Sequence, residues 1–335
     1  MKNPPALVAA ASVLSLWSLC LPVASQAADA ASSATAPDLF RKENLAAWCI
    51  VPFDRSKRNP EQRAEMLERI QLKKFVYDYR AEHVPQWEEE LQALQRHGIE
   101  LSGWMFNSAP DKEDRSKLNA QSEGLLEMFG RYKFKPQLWV IKADGQIAMP
   151  SREEHERRVR GEVASLKPAA LAAQAHGLKL GLYNHGGWWG EPENQIEIIE
   201  GLKKEGIQNV GIVYNLHHGH DHLGRFPQML QKMLPYLICL NLNGMDIAGQ
   251  TRGRKILPIG VGTEDVGLLK IIRDSGYRGL IGILNHTGED AEARLLDNLD
   301  GLEWANRQLD GAAPGPLPVY RSWKTLPPAN PPANP

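Results

Sequence analysis

The sequence predicts an α/β protein made of a single (β/α)8 TIM barrel, and two observations support this fold class. Strand-like apolar runs alternate with helical segments, and strict alternation of this kind favours a parallel sheet covered by helices. The runs number eight, and they fill about 265 residues, which is the size of such a barrel. A doubly wound sheet is the alternative, but it usually has fewer strands, and no G-x-G-x-x-G motif follows the first strand.

The strands follow one another at a mean spacing of about 33 residues, which leaves room for a loop and a helix after each strand. Several strands are preceded by a glycine that ends a helix, as in His97-Gly98 and Ser275-Gly276. The eight strands are predicted to begin near Trp48, Lys73, Ile99, Lys135, Leu178, Asn209, Tyr236 and Gly279.

Caps and apolar spacing predict the helices between the strands. Asn59-Pro60 combines a capping side chain with a proline in the first helical turn. The next helix is predicted by an apolar stripe at i, i+4 and i+7, formed by Trp87, Leu91 and Leu94. Ser151-x-x-Glu154 is a capping box that opens a long helix, in which Pro168 predicts a break or a kink. Thr287-x-x-Asp290 opens the last helix.

Residues 1–28 have the features of a secretory signal peptide. A single lysine precedes the apolar run from Ala6 to Leu21, and Ser25-Gln26-Ala27 supplies small residues for cleavage. The run is short and rich in Ala and Ser for a membrane span. An uncleaved anchor is one alternative, and a lipoprotein at Cys20 is another, although Trp17-Ser18-Leu19 is a poor lipobox. We therefore expect a secreted or periplasmic protein.

The rest of the chain divides into three parts. Residues 29–43 are expected to form a flexible leader, and residues 44–309 the catalytic barrel. Residues 312–335 are rich in proline and predict a disordered tail, because they cannot bury enough apolar surface to become ordered.

Composition excludes several classes of protein. Lys and Arg total 39 and Asp and Glu total 40, so the net charge of −1 gives no reason to bind nucleic acid or an anionic membrane. The 42% apolar and 24% charged residues are ordinary globular values. Three cysteines are too few for a disulfide scaffold. Cys49 and Cys239 lie in apolar runs that favour buried thiols, and a disulfide between them stays open. The oligomeric state is not predicted.

Histidines concentrate where three of the predicted strands end. In a (β/α)8 barrel the carboxyl ends of the strands carry the active site, and six of the ten histidines follow strands five, six and eight. Chance placement on loops would scatter them, so the clustering predicts an active site at this face. These six are His185, His217, His218, His220, His222 and His286.

The order of these strand ends resembles the xylose-isomerase-like TIM barrels, the sugar phosphate isomerase/epimerase family, over about residues 45–308. In that family the sixth strand ends in an Asp followed three residues later by a His, and both face a metal ion. Here Asn215 and His218 occupy those positions, within Val210–His218. The turn Gly276-Tyr277-Arg278-Gly279 before the eighth strand also matches the family pattern.

Asparagines stand where the resemblance implies metal ligands. They are Asn184 on the fifth strand, Asn215 on the sixth, Asn241 or Asn243 on the seventh, and Asn285 on the eighth. A neutral amide oxygen is a poor ligand for Zn²⁺ or Mn²⁺. Either the protein holds a divalent metal ion (Zn, Mn or Mg) differently, or the site is metal-free and the amides hold sugar hydroxyls. The candidate ligands of the first alternative are His185, His218, His220 and His286.

The resemblance implies proton transfer next to a carbonyl, as in isomerisation, epimerisation or β-elimination from a keto-glycoside. We assign His218 and His185 as base and acid, because an imidazole titrates near neutral pH. The substrate is expected to be an unphosphorylated carbohydrate, since no glycine-rich phosphate cradle follows strands seven and eight. His83, Asn184, Asn215 and Asn285 complete the predicted catalytic set. The predicted substrate-binding residues are Trp188, Trp189, Arg80, Asp78, Asn241 and Asn243.

For Trp188 and Trp189, which follow Gly186-Gly187, the expectation is a platform on which a sugar ring stacks, with ordinary packing at the barrel rim as the alternative. For Asp78, Arg80 and His83 the alternative is a salt bridge at the rim.

Glycosidase and nuclease functions each require carboxylate groups in a particular arrangement, and the sequence can be compared with these requirements. A glycosidase requires two carboxylic groups that face each other, and no such pair is evident. A nuclease requires metal-binding carboxylates and a basic groove. The main rival is a non-catalytic sugar-binding barrel that has lost its metal site. Against such decay, two strand ends share the same pattern of Asn followed by His, at Asn184-His185 and Asn285-His286.

Export can be tested directly. We expect the mature chain to begin near Ala28, and N-terminal sequencing of the exported protein measures this. Recovery of the chain with Met1 retained in a cytosolic fraction would contradict the signal-peptide prediction.

Overall fold

Eight parallel strands close into a barrel in a computed structural model, which describes Met1 and residues 39–142 and 150–323. Each strand pairs with the next along the chain, and the last strand pairs with the first, with Leu45 opposite Ile281. The prediction of a single (β/α)8 barrel is confirmed. The predicted signal peptide after Met1, the leader up to residue 38 and the tail after residue 323 lie outside the described residues. The strands are β1 (Leu45–Trp48), β2 (Lys74–Tyr77), β3 (Glu100–Met105), β4 (Gln137–Val140), β5 (Leu180–Tyr183), β6 (Val210–Asn215), β7 (Leu237–Leu242) and β8 (Leu280–Leu284).

Helices follow the strands and cover the outside of the barrel. The first helix has the predicted capping box, in which the backbone N–H of Gln62 donates to Asn59 Oδ1 at 2.9 Å. The fourth runs through Pro168 without interruption, because burial of this part of the helix offsets the missing N–H. In the described part of the chain, no helix is long and apolar enough to cross a membrane. The helices are α1 (Pro60–Arg69), α2 (Trp87–Arg96), α3 (Ala120–Tyr132), α4 (Arg152–Ala175), α5 (Gly187–Gly190), α6 (Pro192–Lys204), α7 (Phe226–Met233), α8 (Asp265–Asp274) and α9 (Ala291–Leu309).

Strand residues alternate between two apolar cores. One core lies between the strands and the helices, and the other fills the barrel itself. Side chains two residues apart on a strand share a face, so a residue two places beyond an inner-core residue points toward the mouth, the carboxyl end of the barrel. The inner core contains Ala46, Trp48, Cys49, Val76, Trp139, Tyr183, Val213, Cys239 and Leu284.

The first strand ends at Trp48, where the sequence predicted it to begin. Cys49 has a φ of 59°, a left-handed conformation that a residue other than glycine rarely adopts, and it turns the chain out of the sheet. Cys49 and Cys239 are both free and buried. The disulfide left open by the sequence is therefore not formed.

Parts of the expected leader and tail pack against the barrel. Leu39 and Phe40 are buried in the outer core. At the other end, Tyr320 Oη donates to the carbonyl of Ile259 at 2.9 Å, and the backbone N–H groups of Arg321 and Ser322 donate to the buried Asp297 carboxylate at 2.7 Å. Residues 39–40 and 320–322 thus differ from the expectation of flexible ends, because apolar burial and these hydrogen bonds hold them in place.

Gly282 on β8 leaves room for the Asn241 side chain of β7, its partner in register. A Cβ atom at position 282 would lie 1.8 Å from Asn241 Oδ1. We expect Gly282→Ala to lower the free energy of unfolding by about 1–3 kcal/mol through overpacking, measured by urea denaturation.

Gly267→Ala is the matched control for this substitution. Gly267 lies on α8, where an added Cβ meets no atom within 4 Å, so alanine should leave stability unchanged or raise it by up to about 1 kcal/mol. Equal urea midpoints for Gly282→Ala and the native chain would contradict the packing argument.

Candidate active site

Four imidazole rings from three strand ends meet at the mouth of the barrel. His185 and His286 each lie two residues beyond an inner-core residue, so both point toward the mouth. His217 and His218 lie on a short 3-10 turn after β6. Ring centroids are 4.6 Å apart for His185 and His218, 3.8 Å for His217 and His218, and 5.6 Å for His217 and His286. We call these four side chains the imidazole cluster.

A hydrogen-bonded chain fixes the loop that carries two of these rings. Tyr214 Oη lies 2.9 Å from His222 Nδ1, and His222 Nε2 lies 3.1 Å from Glu191 Oε1. Arg225 forms an ion pair with the same glutamate. Gly219 allows this arrangement, because a Cβ there would lie 2.2 Å from Tyr214 Oη. His222 therefore anchors the loop and does not join the cluster.

The imidazole rings are neutral at pH 7. Burial, followed by the charges of neighbouring imidazoles and of Lys255, lowers the pKa of His218 to about 2 and that of His217 well below its usual range. Burial also lowers the pKa of His286 to about 4, with a smaller effect from Arg80. The pKa of His185 is lowered by burial and by Lys255. The assignment of His218 as a base that titrates near neutrality is therefore not supported, because protonation would place a charge in a buried, cationic environment.

A carboxyl group has the pKa that the histidines lack. Asp78 lies two residues beyond Val76 of the inner core, is 1% exposed, and receives no well-aligned hydrogen bond on either oxygen from the described residues. Burial raises its pKa to about 7, although Arg80 acts in the opposite direction. Burial raises the pKa of the neighbouring Cys49 thiol, and the charge of Asp78 raises it further. Asp78 also acts electrostatically on Tyr183, whose ring centroid lies 5.8 Å from that of His218.

Arg80 borders the cluster, whereas His83 does not. The Arg80 guanidinium lies 5.3 Å from the centre of the Phe53 ring, which in turn lies 3.8 Å from that of His286. His83 Nδ1 accepts a hydrogen bond from the backbone N–H of Arg80 at 2.9 Å. His83 thus caps its own turn, and no contact brings it to the four imidazoles.

Three of the predicted asparagines are linked to one another across β5, β6 and β7. Asn184 Oδ1 accepts from the backbone N–H of Asn215 at 2.7 Å and from Asn215 Nδ2 at 3.1 Å. Asn241 Nδ2 donates to Asn215 Oδ1 at 2.6 Å. All three are buried. We call this set the asparagine chain. Each of its amide oxygens accepts at least one hydrogen bond from a neighbouring residue, and these bonds stabilise the strand ends.

The other two asparagines are also buried. Asn285 Nδ2 lies 3.5 Å from the carbonyl of Cys49, and its own Oδ1 has no partner among the described residues. Asn243 Nδ2 donates to the carbonyl of Gly244 at 2.7 Å. Both asparagines were expected to contact substrate, but each directs its amide N–H₂ to the backbone.

The side chains present do not fit the metal site that the resemblance implied. In the described chain, no three His, Cys, Asp or Glu side chains are placed to share a metal ion. Nε2 of His220 lies 2.9 Å from the carbonyl of Lys255, so this nitrogen is already engaged by the backbone. The amide oxygens of the asparagine chain accept hydrogen bonds from their neighbours, so they offer no ligand set for Zn²⁺ or Mn²⁺.

Trp188 and Trp189 do not form an exposed stacking platform. Trp188 is 7% exposed and Trp189 1% exposed, and both belong to the outer core. Trp188 Nε1 donates to His155 Nδ1 on α4, and Trp189 Nε1 donates to the carbonyl of Tyr183. The short helix α5 turns both rings back between the barrel and α4, which corresponds to the rim-packing alternative.

A groove of about 770 Å³ opens at the carboxyl ends of β3 and β4. Its walls include Phe106, Asn107, Ile141 and Lys142. Grooves of roughly 300–1,000 Å³ accommodate ordinary small-molecule ligands.

Lys255 is a site residue that the sequence did not indicate. It lies in the long loop between β7 and α8, several turns along the chain from either strand end. A search limited to the residues that directly follow each strand therefore could not find it. Its charge contributes to the lowered pKa of all four rings of the imidazole cluster. Cys49, Phe53 and Tyr183 also line the mouth, and only their strand-end position could have suggested them.

The raised pKa of Asp78 predicts a pH-dependent stability difference. An aspartate near 3.9 in the unfolded chain and about 7 in the folded chain binds its proton more tightly when folded. Asp78 therefore costs no stability below pH 4 and costs progressively more as the pH rises to 7, at about 1.4 kcal/mol per pKa unit.

We expect Asp78→Asn to gain stability relative to the native chain between pH 4 and pH 8, by up to about 4 kcal/mol. Urea denaturation across this range measures the difference. Asp221→Asn, at an exposed position on the same face, should parallel the native chain. A difference that does not change with pH would exclude a buried, protonated Asp78.

Comparison with known proteins identifies a family for this chain. The family described as "Xylose isomerase-like TIM barrel" matches residues 59–307. No curated protein sequence matches the chain significantly.

Several solved structures share the fold at low identity. The 3-keto-D-glucoside 4-epimerase YcjR from E. coli is 16% identical, with a TM-score of 0.57 over 79% of this chain and 99% of that chain. The D-psicose 3-epimerase of Clostridium cellulolyticum H10 with D-tagatose is 13% identical, with a TM-score of 0.55 over 79% and 99%. The IOLI protein with a zinc atom is 14% identical, with a TM-score of 0.59 over 79% and 97%. The family match extends over most of the barrel, and the chain belongs to the xylose isomerase-like TIM barrel family.

Proposed function

We propose that this protein is a sugar isomerase or epimerase, or a β-eliminating keto-glycoside lyase, that moves a proton at the carbon next to a carbonyl. The observation that carries the proposal is a buried carboxyl group with a pKa of about 7 just beyond β2, in a barrel whose other strand ends carry neutral imidazoles. Three solved structures that share the fold are of sugar epimerases. One is a 3-keto-D-glucoside 4-epimerase, and two are D-psicose 3-epimerases.

Asp78 is the base in this proposal. A general base works best when its pKa lies near the operating pH, and burial raises the pKa of Asp78 to about 7. Its carboxylate removes the proton from the carbon next to the carbonyl, and the electron pair moves to the carbonyl oxygen. Return of the proton from Asp78 to the neighbouring carbon gives isomerisation. In epimerisation the carbon takes a proton from water on the opposite face of the sugar, and Asp78 releases its own proton to solvent. Expulsion of a β-substituent gives elimination.

The neutral imidazoles stabilise the oxygen that becomes negative. Neutral His218 and His185 each carry one N–H that can donate to this oxygen; His218 is half-buried, and His185 is exposed at the mouth. Such donors act without giving up a proton, so a pKa far below neutrality does not impair them. His218 and His185 keep their place in the predicted catalytic set, but with an oxyanion-stabilising role instead of a base role.

The substrate is an unphosphorylated sugar or keto-glycoside, and the protein acts in the periplasm or outside the cell. Sugar phosphates are scarce outside the cytoplasm, where the proposed signal peptide would direct the chain. The 770 Å³ groove beside β3 and β4 has room for the second half of a glycoside.

Asp78 also separates this proposal from a non-catalytic sugar-binding barrel. A buried carboxyl group whose pKa is raised by burial lowers the stability of the fold when it ionises, and sugar binding alone does not require such a group. A catalytic role gives a reason for Asp78 to remain.

The test is solvent exchange and turnover with free sugars and 3-keto-glucosides in D₂O, followed by proton NMR. We expect deuterium to enter the carbon next to the carbonyl, and kcat/KM to rise with pH through about 7 as Asp78 ionises. Asp78→Asn should lower kcat by about 10²–10⁴-fold, and His218→Ala by about 10²–10³-fold.

Asp221→Asn serves as the control, because it removes an exposed carboxylate from the same face and should retain native turnover. Full activity in Asp78→Asn would overturn the assignment of the base. The absence of both exchange and turnover with every sugar would favour the non-catalytic barrel.

A further inference from the structure

The loop between β7 and α8, residues 243–264, folds over the mouth of the barrel. Its Ile256 side chain packs against the inner core, and because the loop leaves the carboxyl end of β7, this contact is made from the mouth side. The backbone N–H of Gly244 donates to the carbonyl of Leu257 at 2.8 Å, which closes the loop on itself. Loops of more than about 12–15 residues without helix or strand are uncommon in compact domains and are usually functional. We call residues 243–264 the mouth loop.

Hydrogen bonds join the mouth loop to the residues around the imidazole cluster. The carbonyl of Lys255 lies 2.9 Å from Nε2 of His220, which is two residues beyond His218. The buried Arg294 side chain of α9 donates to the carbonyl of Ile256 at 3.3 Å. A displacement of the mouth loop would therefore move the Ile256 side chain and would release His220 from its backbone partner.

Tyr320, from the chain beyond α9, holds the mouth loop from outside. Its Oη donates to the carbonyl of Ile259 at 2.9 Å. Two glycines leave the space for this hydroxyl, since an added Cβ atom would lie 2.6 Å from Tyr320 Oη at Gly260 and 3.0 Å from it at Gly301. The Tyr320 side chain is thus fitted between the mouth loop and α9.

The residues after Tyr320 add a second contact with the mouth loop and an anchor on α9. The Trp323 ring lies 5.9 Å from the Arg254 guanidinium of the mouth loop. The buried Asp297 carboxylate of α9 accepts from two backbone N–H groups of the same segment at 2.7 Å. We call residues 320–323 the strap, because they join α9 to two points of the mouth loop.

We propose that Tyr320 is a positioning residue for substrate binding, because it holds the mouth loop where Ile256 forms an apolar wall of the barrel mouth. Binding sites for small molecules are mostly lined by apolar side chains. The inference rests on the proposed function for the reaction at Asp78, but the position of the mouth loop can be measured without turnover. Asp78 and the imidazole cluster follow other strands, so release of the strap should weaken binding more than it slows the chemical step.

Hydrogen–deuterium exchange of the full chain tests the position of the mouth loop. We expect Tyr320→Phe, which removes only the hydroxyl, to speed amide exchange in residues 243–264 by about threefold to tenfold, the effect of one lost hydrogen bond. Tyr320→Ala, which also removes the ring, should speed it further. Tyr236→Phe and Tyr236→Ala are the matched controls and should leave this exchange unchanged. Tyr236 Oη donates to Glu200 at 2.9 Å, just before β7 begins and at the opposite end of the barrel.

Steady-state kinetics with a methyl 3-keto-D-glucoside separate positioning from simple stabilisation. A positioning role should raise KM in Tyr320→Ala by at least about threefold while kcat stays within about twofold. A loss of folded protein alone would lower the apparent kcat and leave KM unchanged. Ile256→Ala should raise KM similarly, and Tyr320→Ala should add little to this effect in the double variant. Tyr320→Phe keeps the ring and gives the same comparison should Tyr320→Ala fail to fold.

Native exchange in the mouth loop of the Tyr320 variants would overturn the proposal, as would an unchanged KM or full additivity of the Tyr320 and Ile256 substitutions. If the 3-keto-glucoside binds but is not turned over, the proposed function alone falls, and its dissociation constant, measured by calorimetry, replaces KM in the same comparison. If the sugar does not bind the native chain, both proposals fall.

Discussion

Hydrogen bonding between asparagine side chains holds the carboxyl ends of three strands together, and the geometry of the site depends on it. Asn184 directly precedes His185, and Asn215 directly precedes the turn that carries His217 and His218. The bonds between these amides therefore set the distance between the two loops that supply three of the four imidazoles. Because every member is neutral, the chain can be buried without the desolvation cost of a charged ligand set.

A single physical cause explains the opposite pKa shifts of the acid and the imidazoles. Burial disfavours whichever form is charged, so it raises the pKa of Asp78 and lowers that of His218. The outcome is a site in which the carboxyl group, and not an imidazole, changes its protonation near neutral pH. Lys255 reinforces this outcome, because a nearby cation further disfavours imidazolium.

The sequence was sufficient for the fold and for the grouping of histidines at one end of the barrel, but not for the contacts of each side chain. Strand periodicity and helix caps predicted the barrel, and the histidines after β5, β6 and β8 predicted its reactive face. Periodicity could not show that α5 turns Trp188 and Trp189 inward, because their burial depends on α4, a distant segment. Nor could it show that burial raises the pKa of Asp78 or that the charge of Lys255 acts on the cluster, since both facts depend on where separate loops pack.

Asp297 is hydrogen-bonded to the chain beyond α9, so the folded domain extends past the segment that the family model matches. The family match ends at residue 307, yet the Asp297 carboxylate depends on donors from Arg321 and Ser322. Tyr320 joins the same segment to the loop that carries Lys255. The family match therefore ends before Arg321 and Ser322, which donate hydrogen bonds to the buried Asp297 carboxylate. A boundary drawn from hydrogen bonding would include residues up to 322 in the folding unit.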